Sequence, residues 1–578
     1  MLTDSQIQAT RSNSIAQRVV DTPARGAVKQ HMESPTRREW LAASLGAAVA
    51  SRIAFADSSD DLSSLTLKQA SDRIRAKKVS PVELTQACLD RIKTYNPKIN
   101  AWITVMRDKA LAQAKELEKE QAAGNFRSPL HGIPIGIKDS IDTLGTRTTA
   151  ASAVYEYRFP TEDAEVVRRL KAAGAILIGK CNMHEFDAGT TSAVSYWGPV
   201  RNPWNLDRVA GGASGGSAAA VAMNNCFAAL GTDASGSIRI PAAYCGMVGF
   251  KPTYGRVSLR GIIPFSWSLD HCGPIARTVE DAALVLQQIA GYDHIDIDSV
   301  DKPVPDYSSA IGAPVSQFRI GVPVQFFDHL DDEVARAIED AIAVLNKLTK
   351  GSHDVSLPSL LRAGAAGEVA AYHEGLRGVN GGGYEPSTAR VFPAAQDATR
   401  LDATRAVDYI KGWRELQLIR RTFDADVFQK QNVEVLIAPT ARHAAPTVEE
   451  TLVTTPAAGG GGGRGGGGRG GATPAAATPA TSPTTPAAAE TPIRSDPEEN
   501  TRPFNGYGLP TITLPCGFSK DGMPIGLQIS GPRFGEVNVF ALAYAYQEAT
   551  EWHKRKPPLQ PDTKVPVLSK AASEQTGG

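Results

Sequence analysis

Two clusters of glycine and serine flank an apolar run between Gly211 and Pro241. The second cluster reads GTDASGSIRIP and contains Ser237, and its small side chains leave consecutive backbone N–H groups open. Such N–H groups can bind a developing oxyanion, and a serine hydroxyl beside them can act as a nucleophile. The stretch contains no lysine and neither of the common glycine patterns that bind phosphates or dinucleotides. It is therefore predicted to be a buried turn that can form an oxyanion hole.

A serine nucleophile requires a base. The glycine-rich part of the chain holds three histidines, and none has a triad context such as G-x-S-x-G: His131, His184 and His271. The alternative base is a lysine that burial keeps neutral, and Lys138 follows the apolar run GIPIGI, which would carry it into the core. Asp139 is the obvious partner if Lys138 is instead half of an ion pair. The residues alone leave the pairing of Lys138 with Ser237 open.

Helices and short apolar strands alternate along the chain, which predicts an α/β sheet covered on both faces. Helices are predicted after the capping box SPVE, over 101–123, and over TVEDAALVLQQI, DDEVARAIEDAIAVLNKL and VNVFALAYAYQEATEW. The run AAAVAMNNCFAAL between the two glycine clusters also has a helical pattern. Strands are predicted over 175–179 and in FRIGVPVQF, LPTITLPCGF and PIGLQISG.

Charge and cysteine content narrow the range of functions. The 578 residues include 61 basic and 61 acidic side chains, so the formal net charge is zero and no nucleic-acid partner is predicted. Six cysteines are scattered singly, and no pair has metal-ligand spacing. They are predicted to be buried as small hydrophobic residues. No metal or cofactor is predicted.

The N-terminal segment is typical of an export signal. Arg37 and Arg38 precede a weak apolar run, which ends in the cleavage-site pattern AFA at Ala56. Residues 1–56 are predicted to be a leader and a twin-arginine signal peptide. A start at Met32 would give a signal of ordinary length, so residues 1–31 are predicted to be either a wrongly assigned start or a disordered leader. The twin-arginine machinery would then export the protein to the periplasm or beyond. The apolar run is too short and too weak for a stable membrane anchor.

Residues 456–500 differ in composition from the rest of the chain, and consist largely of Gly, Pro, Ala and Thr. Such a segment cannot bury enough apolar surface to offset the entropy of ordering. Strand and helix patterns resume after it, but the remaining stretch of about 80 residues is marginal for an independent core. The segment is therefore predicted to be a disordered insertion within one catalytic domain over 57–555. Residues 556–578 are predicted to be a flexible tail.

Five motifs in order resemble the amidase signature family: GIPIGIKDSID, NPWNLDRVAGGASGGSAAAV, GTDASGSIRIPAAYCGMVGFKPTYGRVS, SLDHCGPIARTVEDAAL and PTITLPCGFSKDGMPIGLQISG. The resemblance runs from about Leu65 to about His553. It implies a single large α/β/α domain around a mixed, twisted sheet. It also implies hydrolysis of the C–N bond of a small-molecule amide through a serine acyl-enzyme, with a lysine as general base.

The resemblance also implies the site residues. The family's triad is Lys–Ser–Ser, in which a bridging serine after a cis peptide bond passes the proton to the nucleophile. Lys138 matches the lysine and Ser237 matches the nucleophile. The oxyanion donors implied are the backbone N–H groups of Ala234, Ser235, Gly236 and Ser237.

Two residues depart from the family pattern. Ser235 stands where the family has a glycine, and Ala213, 24 residues before Ser237, stands where the family has the bridging serine. Three outcomes are open: Ser214 or a water takes over the relay, Lys138 reaches Ser237 directly, or the protein is a poor enzyme. An active but altered hydrolase is favoured, because electrostatic stabilisation is usually the larger catalytic contribution.

Two other functions compete with that of an amidase. The family includes the A subunits of tRNA-dependent amidotransferases, although the export signal and the insertion argue against that role. A weakly active or non-catalytic binding protein becomes credible through Ala213. The stretch 306–440, where the motifs end, is expected to shape the substrate pocket. The sequence leaves open whether that pocket takes an amide, an ester or a carbamate.

Overall fold

An eleven-stranded mixed sheet forms the centre of the computed structural model, which describes residues 61–360, 365–376, 383–392, 406–453 and 497–573. The spatial order is β1-β3-β2-β6-β8-β7-β12-β13-β11-β9-β10, and β4 and β5 form a separate two-stranded sheet. In chain order the strands are β1 (Trp102–Val105), β2 (Pro134–Lys138), β3 (Ile176–Cys181), β4 (Arg201–Asn202), β5 (Asn205–Val209), β6 (Ala228–Thr232), β7 (Val248–Lys251), β8 (Cys272–Ala276), β9 (Ile320–Pro323), β10 (Ser352–Val355), β11 (Val435–Pro439), β12 (Thr511–Phe518) and β13 (Pro524–Ser530).

Strand direction changes along this sheet. β3, β2 and β6 are parallel, as are β11, β9 and β10. The strands from β6 through β8, β7, β12 and β13 to β11 pair antiparallel. Every residue of β2, β3 and β6 is buried, as expected for strands covered on both faces. The predicted α/β class with a mixed central sheet is confirmed.

Helices cover both faces of the sheet. Consecutive strand residues point to opposite faces, and in β7 a Cβ on Gly249 would lie 2.7 Å from Ala242, while Phe250 stacks on Phe540 at 4.2 Å. The two contacts belong to different helices, α6 (Arg239–Cys245) and α14 (Glu536–Thr550). The helices in chain order are α1 (Leu67–Arg75), α2 (Pro81–Ile99), α3 (Arg107–Ala122), α4 (Glu165–Ala172), α5 (Gly215–Ala222), α6 (Arg239–Cys245), α7 (Val279–Ile289), α8 (Asp332–Leu348), α9 (Ala365–Glu374), α10 (Pro386–Val391), α11 (Ala406–Phe423), α12 (Val448–Val453), α13 (Arg502–Gly506), α14 (Glu536–Thr550) and α15 (Lys570–Ser573).

Local sequence signals explain several of these elements, but they led to wrong predictions for two strands. The capping box of Ser80 and Glu83 is present with Pro81 at the first turn of α2, and Thr278 caps α7. The helix predicted over 101–123 is wrong at its start, because residues 102–105 (WITV) pair with β3 as strand β1. The run AAAVAMNNCFAAL is helical only to Ala222, and its last residues enter β6 between β2 and β8. All six cysteines are free and buried, as predicted.

The chain termini and the insertion are described only in part. The predicted leader and signal peptide lie outside the described residues. Residues 454–496, which include most of the predicted insertion, also lie outside them. Residues 497–500, at the end of that insertion, are described, and Asn500 is buried with its amide donating to the Phe326 and Pro439 carbonyls. Among the described helices, none is long and apolar enough to cross a membrane.

The C-terminal tail departs from the prediction of flexibility. Lys98 Nζ donates to the Thr563 carbonyl at 2.7 Å, and Arg201 donates to the Pro566 carbonyl at 2.9 Å. α15 packs against α12, where Ala572 is buried. The tail is therefore held to the domain as far as residue 573.

Candidate active site

Two parallel strands place the predicted lysine at the edge of the sheet where their carboxyl ends meet. Lys138 is the last residue of β2 and Thr232 is the last residue of β6. These strands are parallel neighbours, with Ile137 opposite Leu230, so their carboxyl ends meet at one edge. Lys138 Nζ donates a hydrogen bond of 2.6 Å to Thr232 Oγ1. The lysine is fully buried, as its apolar strand predicted.

A third segment brings a carboxylate to the lysine. Phe186 and Asp187 have φ angles of 48° and 60°, in the left-handed region that most residues avoid. Asp187 forms an ion pair with Lys138, and Thr232 Oγ1 lies 3.4 Å from each of its carboxylate oxygens. Burial raises the pKa of Asp187, and the charge of Lys138 opposes that rise. Lys138 is therefore one half of a buried ion pair.

Asp139, the partner suggested by the sequence, belongs to a second ion pair. Its carboxylate lies 3.7 Å from Lys180 Nζ, and both side chains are fully buried. Lys180 also donates to Thr148 Oγ1 at 2.7 Å, and burial lowers the pKa of Lys180 to about 8. Asp139 as partner of Lys138 is thus wrong, and Asp187 takes that place.

A buried aspartate fixes the loop that carries Ser237. Asp233 accepts hydrogen bonds from the Gly236 N–H, from two guanidinium nitrogens of Arg239 and from the Asn505 amide. Burial opposes ionisation, but the Arg239 guanidinium outweighs it and holds the pKa of Asp233 below its usual range. The loop between β6 and α6 is therefore tied at its centre to a charged, fully hydrogen-bonded pair.

The predicted oxyanion donors divide into two groups. The Gly236 N–H donates to Asp233 at 2.8 Å, so its assignment as an oxyanion donor is corrected. The N–H groups of Ala234, Ser235 and Ser237 have no acceptor within the described part of the chain. Gly236 has a φ of 136°, whereas Ser235 is not among the described residues with positive φ, so its Cβ is accommodated.

The hydrogen bonds of Ser214, next to the bridging position 213, join backbone segments and do not connect the side chains of Lys138 and Ser237. Ala213 is fully buried. Ser214 donates its N–H to the Ser237 carbonyl at 3.2 Å, and its hydroxyl donates to the Thr232 carbonyl at 3.1 Å. The Ser214 hydroxyl also accepts from the Thr232 N–H at 3.2 Å. Among the described residues, no hydrogen bond joins the Ser214 hydroxyl to Lys138 or to Ser237 Oγ, so the suggested relay is not assembled here.

The three histidines do not complete a triad. Burial, followed by the charge of Lys138, lowers the pKa of His184 to about 3. His131 and His271 each bond a ring nitrogen to a backbone carbonyl. Within the described residues, none of the three forms a hydrogen bond to Ser237, which agrees with the expectation that the base is not a histidine.

Comparison with known proteins decides the family. The family model described as Amidase matches residues 83–458 and 472–540, which is most of the chain. The chain belongs to the amidase signature family. The short gap between the two matched ranges falls in the glycine-rich part of the insertion.

Relatives of this amidase signature chain include both transferases and hydrolases. The A subunit of the glutamyl-tRNA(Gln) amidotransferase of Geobacter sp. (strain M21) is 38% identical over 521 residues, covering 86% of this chain and 99% of the relative. The solved structure of the corresponding A subunit from Thermotoga maritima has a TM-score of 0.60 at 28% identity, covering 85% of this chain and 95% of that one. The native peptide amidase from Stenotrophomonas maltophilia has a TM-score of 0.67 at 28% identity, covering 86% of this chain and 99% of that one.

Several site residues were missed by reasoning from the sequence. Asp233 and Arg239 lie inside the quoted motif GTDASGSIRIP, and their spacing around Ser237 could have indicated a buried ion pair. Thr232 precedes that motif's aspartate directly. Asp187 lies 49 residues after Lys138, outside the five motifs, and no spacing signal connects the two.

Proposed function

We propose that this protein cleaves the C–N bond of a carboxylic amide by transferring the acyl group to Ser237 Oγ. The observation that carries the proposal is the position of Ser237 beside three open N–H groups, those of Ala234, Ser235 and Ser237 itself. These groups can bind the oxyanion that forms when the amide carbonyl is attacked, and such binding is usually the largest contribution to acyl transfer. The buried Lys138 at the end of a neighbouring strand supports the same chemistry.

Two proton transfers accompany the formation of the acyl-enzyme. The Ser237 hydroxyl loses its proton as it bonds to the carbonyl carbon, and the leaving nitrogen gains a proton as the C–N bond breaks. We assign Lys138 to both transfers and a water molecule to the later release of the acyl group. The missing hydroxyl at Ala213 weakens the proton-transfer contribution, worth roughly 10²–10⁴-fold, but leaves the nucleophile and the oxyanion donors in place.

We infer a second candidate, a role like that of the A component of a tRNA-dependent amidotransferase. The observation that favours it is that the relative from Geobacter is matched over 99% of its length. The comparisons support this role more strongly than that of a free-standing hydrolase. The two candidates share the attack of Ser237 on an amide and differ in the fate of the released nitrogen. Only the amidotransferase role requires further subunits.

An assay of nitrogen release separates the candidates. Purified protein is incubated with glutamine, a peptide amide, an aryl amide and a short aliphatic amide, and released ammonia or amine is measured. Turnover of several amides by the protein alone favours the hydrolase, and turnover of glutamine only with partner subunits favours the amidotransferase role.

Ser237→Ala is expected to abolish turnover in either case. Ser217→Ala is the matched control, since the Ser217 hydroxyl donates to the Leu230 carbonyl and has no assigned part in the chemistry. Full turnover by the Ser237→Ala protein would contradict both candidates.

A further inference from the structure

The segment that carries Asp187 lies against the position that lacks its hydroxyl. At one end the His184 N–H donates to the Ala213 carbonyl at 3.2 Å, and at the other the Gly212 N–H donates to the Thr190 carbonyl at 2.6 Å. Between these two contacts, the left-handed turn places the Asp187 carboxylate on Lys138. A carboxylate therefore reaches the lysine from beside position 213, where the side chain is a methyl group.

Lys138 contacts a carboxylate and a threonine hydroxyl rather than a serine of the site. Its ammonium bonds to Asp187 and Thr232, and within the described residues it forms no hydrogen bond to Ser214 or Ser237. Lys138 is fully buried and the Asp187 side chain is 7% exposed, so the pair is screened little by solvent. A left-handed backbone at a non-glycine residue is itself unfavourable, and it persists only where its surroundings hold it.

We propose that Asp187 is the positioning residue of Lys138, and that the carboxylate takes over the function of the hydroxyl missing at position 213. The proposal rests on the proposed role of Ser237 as nucleophile. It goes further in naming a residue that holds the lysine and exchanges a proton with it. A carboxylate at position 187 and a hydroxyl at position 213 are then alternative partners of the same lysine.

The proton balance of the step is closed within the pair. At rest Lys138 is an ammonium and Asp187 a carboxylate. When Ser237 Oγ bonds to the carbonyl carbon, Nζ passes one proton to Asp187 and accepts the proton that Ser237 loses. The negative charge thereby moves from the carboxylate to the oxyanion. When the C–N bond breaks, Nζ protonates the leaving nitrogen and Asp187 returns its proton to Nζ.

The groups that face Asp187 fit this exchange. Lys138 at the end of β2 supplies the positive charge, and Thr232 at the end of β6 supplies a hydroxyl. Two further carboxyls lie near it, Asp233 after β6 and Asp270 before β8. Burial, with the charge of Asp233 as a smaller contribution, raises the pKa of Asp187, which makes Asp187 a better proton acceptor than an isolated carboxylate would be.

The test is the rate at which a fluorophosphonate labels Ser237 in five proteins: wild type, Asp187→Asn, Asp187→Glu, Ala213→Ser and the double variant of Asp187→Asn with Ala213→Ser. Asp187→Asn is expected to slow labelling by about tenfold or more, and Asp187→Glu by less, because only the amide removes the proton acceptor. Adding Ala213→Ser to Asp187→Asn is expected to recover about tenfold, more than Ala213→Ser gives in the wild type. Equal effects of Ala213→Ser in both backgrounds would overturn the proposal.

Asp139→Asn is the matched control, because it breaks the other buried lysine–aspartate pair in the same sheet. Its stability is expected to fall, yet Ala213→Ser should act in it as in the wild type. The Lys138 side chain, identified by isotope labelling and Lys138→Met, gives an NMR readout that needs no activity. Its Nζ chemical shift is expected to differ between the wild type and Asp187→Asn, because the variant loses the ion pair, and identical shifts would overturn the proposal. Absence of wild-type labelling alone would instead refute the nucleophile assignment.

Discussion

At the residue scale, the site combines a missing hydroxyl with an added ion pair. Ala213 offers Lys138 no hydroxyl, and Asp187 offers it a carboxylate. The loop between β6 and α6 is intact, because Asp233 and Arg239 hold its turn and Ser237 lies beside open N–H groups. The substitution at position 213 therefore belongs to an organised site, which argues against simple loss of function.

Glu185, two residues before Asp187, gives a prediction for the pH dependence of stability. Ser152 Oγ donates to its carboxylate at 2.5 Å and the Glu385 N–H donates at 2.9 Å, while burial raises the pKa of Glu185 to about 7. A carboxyl with a raised pKa stabilises the fold below its unfolded value of about 4.3, and that contribution is lost as the pH rises through about 7. This contribution to the Tm of the wild type is therefore expected to be lost between about pH 4 and pH 7.

Glu185→Gln is expected to flatten this part of the profile, measured by calorimetry at several pH values. Glu339 is exposed, so Glu339→Gln is the matched control and should keep the wild-type slope. An unchanged slope in Glu185→Gln would mean that this carboxyl does not titrate in the folded protein as described.

At the element scale, helix α5 must approach the sheet closely to place Ser214 and the preceding turn. A Cβ on Gly216 would lie 2.1 Å from the Asn182 carbonyl and 2.7 Å from the Ala101 carbonyl. Gly216→Ala is therefore expected to push the helix away and to destabilise the protein by about 1–3 kcal/mol, measured by urea unfolding. Gly383→Ala, where a Cβ would meet open space, is expected to change little. Equal stability of both variants would show that α5 can shift without cost.

The elements were predicted where local signals and packing agree. The caps of α2 and α7 are local, so the sequence sufficed for them. Residues 102–105 and 228–230 were assigned to helices, because the helix formers beside them dominate the pattern. Pairing with β3, and with β2 and β8, decides their strand conformation, and such pairing is not visible in a local window.

The site, like the secondary structure, was predicted only in part. Lys138 and Ser237 were found because each lies in its own motif, and the apolar run before Lys138 indicated its burial. The partner of that lysine was not found, because Asp187 lies outside the motifs, 49 residues away, and reaches the lysine through a left-handed turn. The nearest carboxylate in sequence, Asp139, serves Lys180 instead. Sequence distance was a poor guide to ion pairing at this edge of the sheet.

At the scale of the whole molecule, the insertion is expected to be dispensable for folding. The family match stops at residue 458 and resumes at 472, and the composition around that gap favours no packed core. Deleting residues 459–489 is expected to change Tm by less than about 4 °C, because loop-closure entropy varies slowly with loop length. A larger drop in a thermal melt would show that the segment packs against the domain.

We propose that the protein is exported in a folded state. The motivation is the pair Arg37 and Arg38 before a weak apolar run and an AFA pattern. Changing both arginines to lysine is expected to retain the protein in the cytoplasm, measured by cell fractionation of the full chain. Unchanged recovery outside the cytoplasm would contradict a twin-arginine signal.

The most direct test of the account is mass spectrometry of the nucleophile. After reaction with a fluorophosphonate, trypsin releases one peptide of residues 209–239, which contains Ser214, Ser217, Ser235 and Ser237. Fragmentation of this peptide is expected to place the adduct on Ser237 alone, and Ser237→Ala is expected to remove it. An adduct on another serine, or an unmodified peptide under conditions in which the protein turns over amides, would contradict acyl transfer through Ser237.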